Sequence, residues 1–205
     1  MIDFYFDFIS PYGYLAAMQV DELAKKYDRK VEWHPMLLGV SVMKVMGLKP
    51  LMETPLKGPY VASDLPRLAS LYNVPLSFPK HGIPKPLPPA RAFCWVQEQA
   101  PDRAGEFAMA VYKAQWQEGL NISKPQVLAQ LVQLVGLNGK GLLEALESET
   151  LSLSLRDKVD ASIKRGVFGS PTFVVDDNMI WGCDRLWMLE HWLTNGKWNS
   201  LEQTG

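Results

Sequence analysis

The 205-residue chain has only two cysteines, Cys94 and Cys183, and they form no Cys-x-x-Cys pair. That argues against a disulfide scaffold, a thiolate zinc site and a dithiol redox centre. Histidine is nearly as scarce: His34, His81 and His191 stand at no metal-ligand interval, so no metal is expected. An excess of charge of either sign is missing as well. Twenty-one Lys and Arg against 22 Asp and Glu give a net charge of −1 with no basic stripe, so neither nucleic acid nor a membrane is an expected partner. No apolar run is long enough to cross a bilayer. Met1 to Phe8 lack the basic segment and cleavage site of a secretory leader, which points to a cytoplasmic protein.

What is present is 47% hydrophobic and 21% charged residues, the composition of a globular chain able to bury a sizeable core. Phe4, Phe6 and Phe8 alternate with Asp3, Tyr5 and Asp7, as in a central strand. Ser10-Pro11 is a helix start, Ser as N-cap and Pro at the first helical position. The stripe Tyr14, Leu15, Met18, Leu23 and Tyr27 carries that helix to about residue 27. Val31–His34 is a second strand, giving a right-handed parallel unit.

From about residue 38 to 149 the pattern is helical and jointed by proline. The run from Pro79 to Pro89 reads as a stiff loop, followed by helices at about 90–99, 103–118, 124–135 and 139–147. Ser123 and Gln126 resemble a capping box for the third of these. The tail reads as a helix at about 152–165, a strand from Pro171, a tight turn at Asp176-Asp177-Asn178 and a returning strand Met179–Trp181. A last helix is opened by Gly182-Cys183-Asp184, with Asp184 as its cap, and closed by Asn195-Gly196. This order predicts an α/β protein, a thioredoxin fold with a large inserted all-helical domain. Residues 1–37 plus 150–205 would form the thioredoxin-like part and 38–149 the insertion.

Three segments meet at one edge of such a sheet: the Ser10 turn, the Ser170–Pro171 peptide and the Gly182-Cys183-Asp184 helix start. Two are helix N-termini, whose free N–H groups favour anions. The N–H and C=O of Ser170 are expected to be unpaired and able to hold a peptide ligand as an extra strand. Other residues have plainer readings. Trp33, Trp95, Trp192 and the Met36–Met46 region read as core, Cys94 as a small buried hydrophobe, Lys57 as solvated, and Asp64 with Arg67 as a helix-face pair. Asp7 is either a paired structural carboxylate or a proton relay. Tyr12 and Trp116 stand between core and an apolar wall for an aromatic substrate.

The ordered motifs resemble one family. Phe4-Tyr5-Phe6-Asp7-Phe8-Ile9-Ser10-Pro11-Tyr12-Gly13-Tyr14-Leu15-Ala16 is similar to the opening of the 2-hydroxychromene-2-carboxylate isomerases and kappa-class glutathione transferases. Gly169-Ser170-Pro171-Thr172-Phe173 and Trp181-Gly182-Cys183-Asp184-Arg185-Leu186 are similar to its C-terminal signatures. Tyr60, Asp64, Leu65, Arg67, Tyr72, Val74-Pro75 and Trp116-Gln117-Glu118-Gly119 resemble its helical part.

The resemblance implies a homodimeric, glutathione-using enzyme related to Dsb-type oxidoreductases, in which Ser10-Pro11-Tyr12-Gly13 replaces Cys-x-x-Cys. It implies a cis peptide before Pro171. Ser10 would face the glutathione sulfur, and Ser170, Pro171, Trp181, Gly182, Cys183 and Asp184 would hold the rest of the tripeptide. Lys44, with Tyr12 and Trp116, would meet a small aromatic carboxylate substrate. The implied reaction converts 2-hydroxychromene-2-carboxylate to trans-o-hydroxybenzylidenepyruvate in aromatic catabolism. A kappa-like transferase or peroxidase and a non-catalytic binding module on the same fold are the alternatives. The chain departs from the family at Leu48 and Cys183, where Asn, or Asn or Ser, is usual. It departs again at Pro88-Pro89, where an Asn near the substrate is usual.

Overall fold

The computed structural model describes residues 1–198. Four strands, β1 (Ile2–Phe6), β2 (Val31–Pro35), β3 (Thr172–Val175) and β4 (Asn178–Trp181), form one sheet in the order β2-β1-β3-β4. β1 and β2 are parallel, joined over α1 (Pro11–Lys26), while β3 is antiparallel to both β1 and β4. The helices α2 (Lys57–Leu71), α3 (Leu87–Gln99), α4 (Ala104–Trp116), α5 (Pro125–Leu134) and α6 (Gly139–Leu146) lie between β2 and α7 (Glu149–Lys164). After β4 a 3₁₀ turn, Cys183–Arg185, leads into α8 (Leu186–Asn195). This is the thioredoxin order with a helical insertion.

Register explains the core. Phe4 stands opposite Trp33 and Phe173, and Phe173 opposite Ile180, so one face of the sheet is almost entirely large and apolar. Phe6 meets Phe93 of α3 edge-on at 5.0 Å between ring centroids and Tyr112 of α4 at 6.0 Å. The insertion therefore packs directly on the strands, and a single hydrophobic cluster runs through both parts of the chain. Each fully buried Phe contributes on the order of 2 kcal/mol. The other face carries a smaller cluster of Tyr5, Met36, Val167 and Val174.

Several local expectations change. Pro88 and Pro89 lie in the first turn of α3 rather than in a loop, because the first helical N–H groups have no partner to lose. Ser123 caps nothing: α5 opens at Lys124-Pro125, and the Ser123 hydroxyl accepts the Lys85 N–H at 2.7 Å. α7 starts about three residues before the expected helix at 152–165, capped by the Ser148 hydroxyl on the Leu151 N–H. Met43 and Met46 are exposed, and of the methionines in that region Met36 alone is core. Asp176 and Asp177 both have positive φ, 45° and 63°, so the hairpin turns within two residues and Asn178 already belongs to β4.

Candidate functional site

The Ser10 turn forms as the local sequence requires. The Ser10 hydroxyl accepts the Gly13 N–H at 2.9 Å and so caps α1, with Pro11 at the first helical position. The same hydroxyl donates to the Ser170 carbonyl at 2.9 Å, across the cis Ser170–Pro171 peptide. That corrects one expectation: the Ser170 carbonyl already has a partner, and only its second lone pair remains for a ligand. The Ser170 N–H makes no hydrogen bond among the described residues.

Beneath this contact the groups interlock. The Ser170 hydroxyl accepts the Asp7 N–H at 3.0 Å, and the Tyr112 hydroxyl donates to the Asp7 carbonyl at 3.0 Å. A Cβ on Gly13 would lie 2.7 Å from the Tyr112 hydroxyl and 2.8 Å from the Ser170 hydroxyl, so only glycine lets α1 approach them this closely. The Asp7 carboxylate accepts the Leu38 N–H at 2.8 Å and the Ile9 N–H at 3.2 Å, tying the exits of β1 and β2 together. Burial pushes its pKa up to about 6, against the two N–H groups that favour the charged form. Trp116 is buried, and its ring N–H donates to the Phe8 carbonyl at 3.0 Å. It buttresses the turn from the core side.

The third segment is open. Gly182 has φ +109°, and a Cβ there would strike the Asp184 carboxylate. Its N–H donates to the Pro171 carbonyl at 3.0 Å, which fastens the 3₁₀ turn to the cis peptide. Neither that turn nor α8 has a side-chain cap, so Asp184 is not a helix cap. Its carboxylate faces solvent and, among the described residues, pairs with the Arg185 guanidinium at 3.5 Å. Trp181 is half-exposed, with Arg185 over its ring and Phe168 tilted against it. Burial pushes the Cys183 thiol up to about 12, helped by the nearby Asp184 and Asp64 carboxylates. It is therefore protonated and inert at neutral pH. A cleft of about 610 Å³ opens beside Cys183 and Asp184, walled by Tyr72, Trp187 and Glu190.

Three groups go beyond the sequence reading. Asp64 makes no ion pair with Arg67; it accepts the Tyr12 hydroxyl at 2.8 Å and the Tyr60 hydroxyl at 3.0 Å, joining α1 to α2 above the site. Burial, then the bond to Asp64, raises the Tyr12 pKa. The i,i+4 spacing of Tyr60 and Asp64 was a visible signal for half of this. Tyr112 gave none, since it contacts Asp7 across 105 residues. Parallel pairing of β1 and β2 also gathers Asp3, Glu32 and His34, with ligand atoms within 4.8 Å of one another, although no His spacing suggested it. The Arg165 guanidinium lies 3.7 Å from Asp3 of that cluster. Lys44 is not joined to Ser10: it is exposed and lines a separate cavity with Arg91 and Arg156.

The sequence profile of the DSBA-like thioredoxin domain matches residues 1–194. The chain belongs to that family. It is 33% identical over 193 residues to a 2-hydroxychromene-2-carboxylate isomerase of Sphingobium xenophagum, covering 94% of this chain and 97% of that one. It is also 27% identical to glutathione S-transferase kappa 1 of Rattus norvegicus, covering 97% and 92%. A solved 2-hydroxychromene-2-carboxylate isomerase superimposes with a TM-score of 0.83 at 29% identity, covering 94% of each chain. Among the described residues no helix is long and apolar enough to cross a membrane.

Proposed function

We propose that this DSBA-like thioredoxin-family protein is a glutathione-dependent isomerase that converts 2-hydroxychromene-2-carboxylate to trans-o-hydroxybenzylidenepyruvate. The observation that carries the reading is the Ser10 hydroxyl at the N-terminus of α1, 2.9 Å from the Ser170 carbonyl, at a turn with no Cys-x-x-Cys disulfide for a ligand thiol to exchange with. The surroundings fit a γ-glutamyl tripeptide. The Ser170 N–H and the spare lone pair of its carbonyl suit the cysteine main chain, and the exposed Asp184 carboxylate suits the ammonium. Bound glutathione would supply a thiolate that adds reversibly to a conjugated double bond, so that the bond can rotate and reform without thiol being consumed.

The chain's own task is to keep that sulfur anionic and in place. Pro11 has no N–H and the Ser10 and Gly13 N–H groups are already bonded, so the Tyr12 N–H and the dipole of α1 supply the positive field at Ser10. The Ser10 O–H can turn from the Ser170 carbonyl to a charged acceptor, which exchanges a neutral hydrogen bond for a stronger one. Gly13, Tyr112 and Ser170 hold the turn so that little reorganisation accompanies charge development.

A kappa-like transferase is the second reading, favoured by the relative that matches nearly the whole chain. One assay separates the two. The chromene carboxylate is offered with and without glutathione while free thiol is counted. Turnover that requires glutathione and leaves free thiol constant supports the isomerase. Loss of thiol matching product formation supports the transferase, and turnover without glutathione overturns both.

A further inference from the structure

A second cavity, of about 260 Å³, lies between the segment after β2 and the helices α3 and α7. Its charged side chains are Lys44, Arg91 and Arg156 with Asp160, beside the uncharged Ser152, so three positive charges face one negative charge, a balance of +2. The floor is apolar, formed by residues such as Leu37 and Leu155, both buried. Among the described residues, none of the three cations is in an ion pair. Arg91, on α3, is anchored by one long bond, 3.4 Å from its guanidinium to the Leu146 carbonyl at the end of α6. Its Nε–H is buried and has no hydrogen-bond partner.

A buried guanidinium N–H without an acceptor is unusual in a folded protein and costs stability unless something accepts it. Water could satisfy one N–H. It does not account for three cations drawn from three separate elements around an apolar floor. That combination reads as a planar carboxylate gripped by guanidinium groups, with an apolar body resting on Leu37 and Leu155. The cavity shares no lining residue with the Ser10, Ser170 and Asp184 site. We propose that it is a binding site for a small apolar monocarboxylate, separate from the glutathione site, with Arg91 and Arg156 reading the carboxylate and Lys44 closing the rim.

The test uses the full chain and benzoate as probe, followed by isothermal titration. Benzoate is expected to bind one-to-one, and Arg156→Met, at an exposed position where folding is safe, should weaken it about tenfold, as should Arg91→Met. Saturating glutathione should leave benzoate affinity unchanged. Equal binding of benzamide would show that the charge is not read, and equal binding of inorganic phosphate that the apolar floor is not. Either result overturns the proposal, as does displacement of benzoate by glutathione or an unchanged affinity in Arg156→Met. None of these readouts depends on isomerase or transferase turnover.

Discussion

Around Ser10 the polar groups are spent on the chain itself, with Ser10, Ser170, Tyr112 and Asp7 linked through bonds of about 3 Å, whereas around Asp184 the side chains face solvent with Arg185 as the nearby charge. The two regions sit on opposite sides of one cis peptide and are built for different tasks. A network satisfied internally fixes geometry before any ligand arrives, and its members cannot be removed without leaving buried groups unpaired. An exposed carboxylate contributes little to folding, so its value must be read in binding. Mutations should therefore separate cleanly, folding and chemistry on one side and affinity on the other.

The most severe break should come from Gly13→Ala. Its methyl would lie 2.7 Å from the Tyr112 hydroxyl and 2.8 Å from the Ser170 hydroxyl, and both residues are buried. Overpacking of this kind costs about 1–3 kcal/mol before any hydrogen bond is lost. For a chain of this size the melting temperature should fall by roughly 2–12 °C. A melting curve superimposable on that of the wild type would show that the network is soft rather than fixed.

Asp7 tests the same region through pH. Its folded pKa, about 6, lies above its ordinary value of 3.8, so between those values the folded state binds more protons than the unfolded chain. Stability must then fall as pH rises through that window, by up to ~3 kcal/mol in total. Asp7→Asn cannot titrate and should lose this slope, at some cost because its amide can satisfy only one of the Leu38 and Ile9 N–H groups. The comparison of thermal melts from pH 4 to 7 decides it. Parallel curves for the two proteins would mean that Asp7 is charged throughout.

These two residues also show where sequence reading stops. The Ser10-Pro11 cap was legible because donor and acceptor lie three residues apart, and the alternating strand was legible because the period of two is local. Tyr112 was not, since its partner is on another element far along the chain. Ser123 misled because a capping box and a surface loop share the same residues, and only Pro125 decided where α5 begins. Met43 and Met46 misled because apolar character predicts burial on average but not at a given position. Lys44 was placed near the substrate by resemblance, while its neighbours in space, Arg91 and Arg156, come from helices that no local pattern connects to it.

On the open side, Asp184→Ala should weaken glutathione binding by tenfold or more, since a charge-assisted hydrogen bond contributes about 1.5–3 kcal/mol. Because Asp184 caps no helix, the melting temperature should stay within about 1 °C of the wild type, as for other exposed positions. Titration calorimetry and a melt on the same sample check both halves. An unchanged dissociation constant removes Asp184 from the binding site, and a large fall in melting temperature would place it in the interlocked region instead.

The smallest effect is expected where the two regions meet. Free thiol with a pKa of about 8.5 is only a few per cent ionised at neutral pH, so the site must favour thiolate to be useful. In the structure the Ser10 O–H donates to the Ser170 carbonyl, and giving it to a thiolate replaces a neutral acceptor with a charged one. That difference is about 1 kcal/mol, which corresponds to roughly one pH unit. Ser10→Ala should therefore raise the pKa of bound glutathione by about one unit, while the field of the α1 N-terminus remains. Turnover at pH 7 should fall several-fold and recover at alkaline pH. The lost cap should lower stability by about 1 kcal/mol as well, so the titration must be read below the melting range of the variant. Thiolate absorbance near 240 nm, followed against pH with glutathione bound, is the measurement. If wild type and Ser10→Ala titrate together, the Ser10 hydroxyl never leaves the Ser170 carbonyl, and its role ends with capping α1 and bracing the cis peptide.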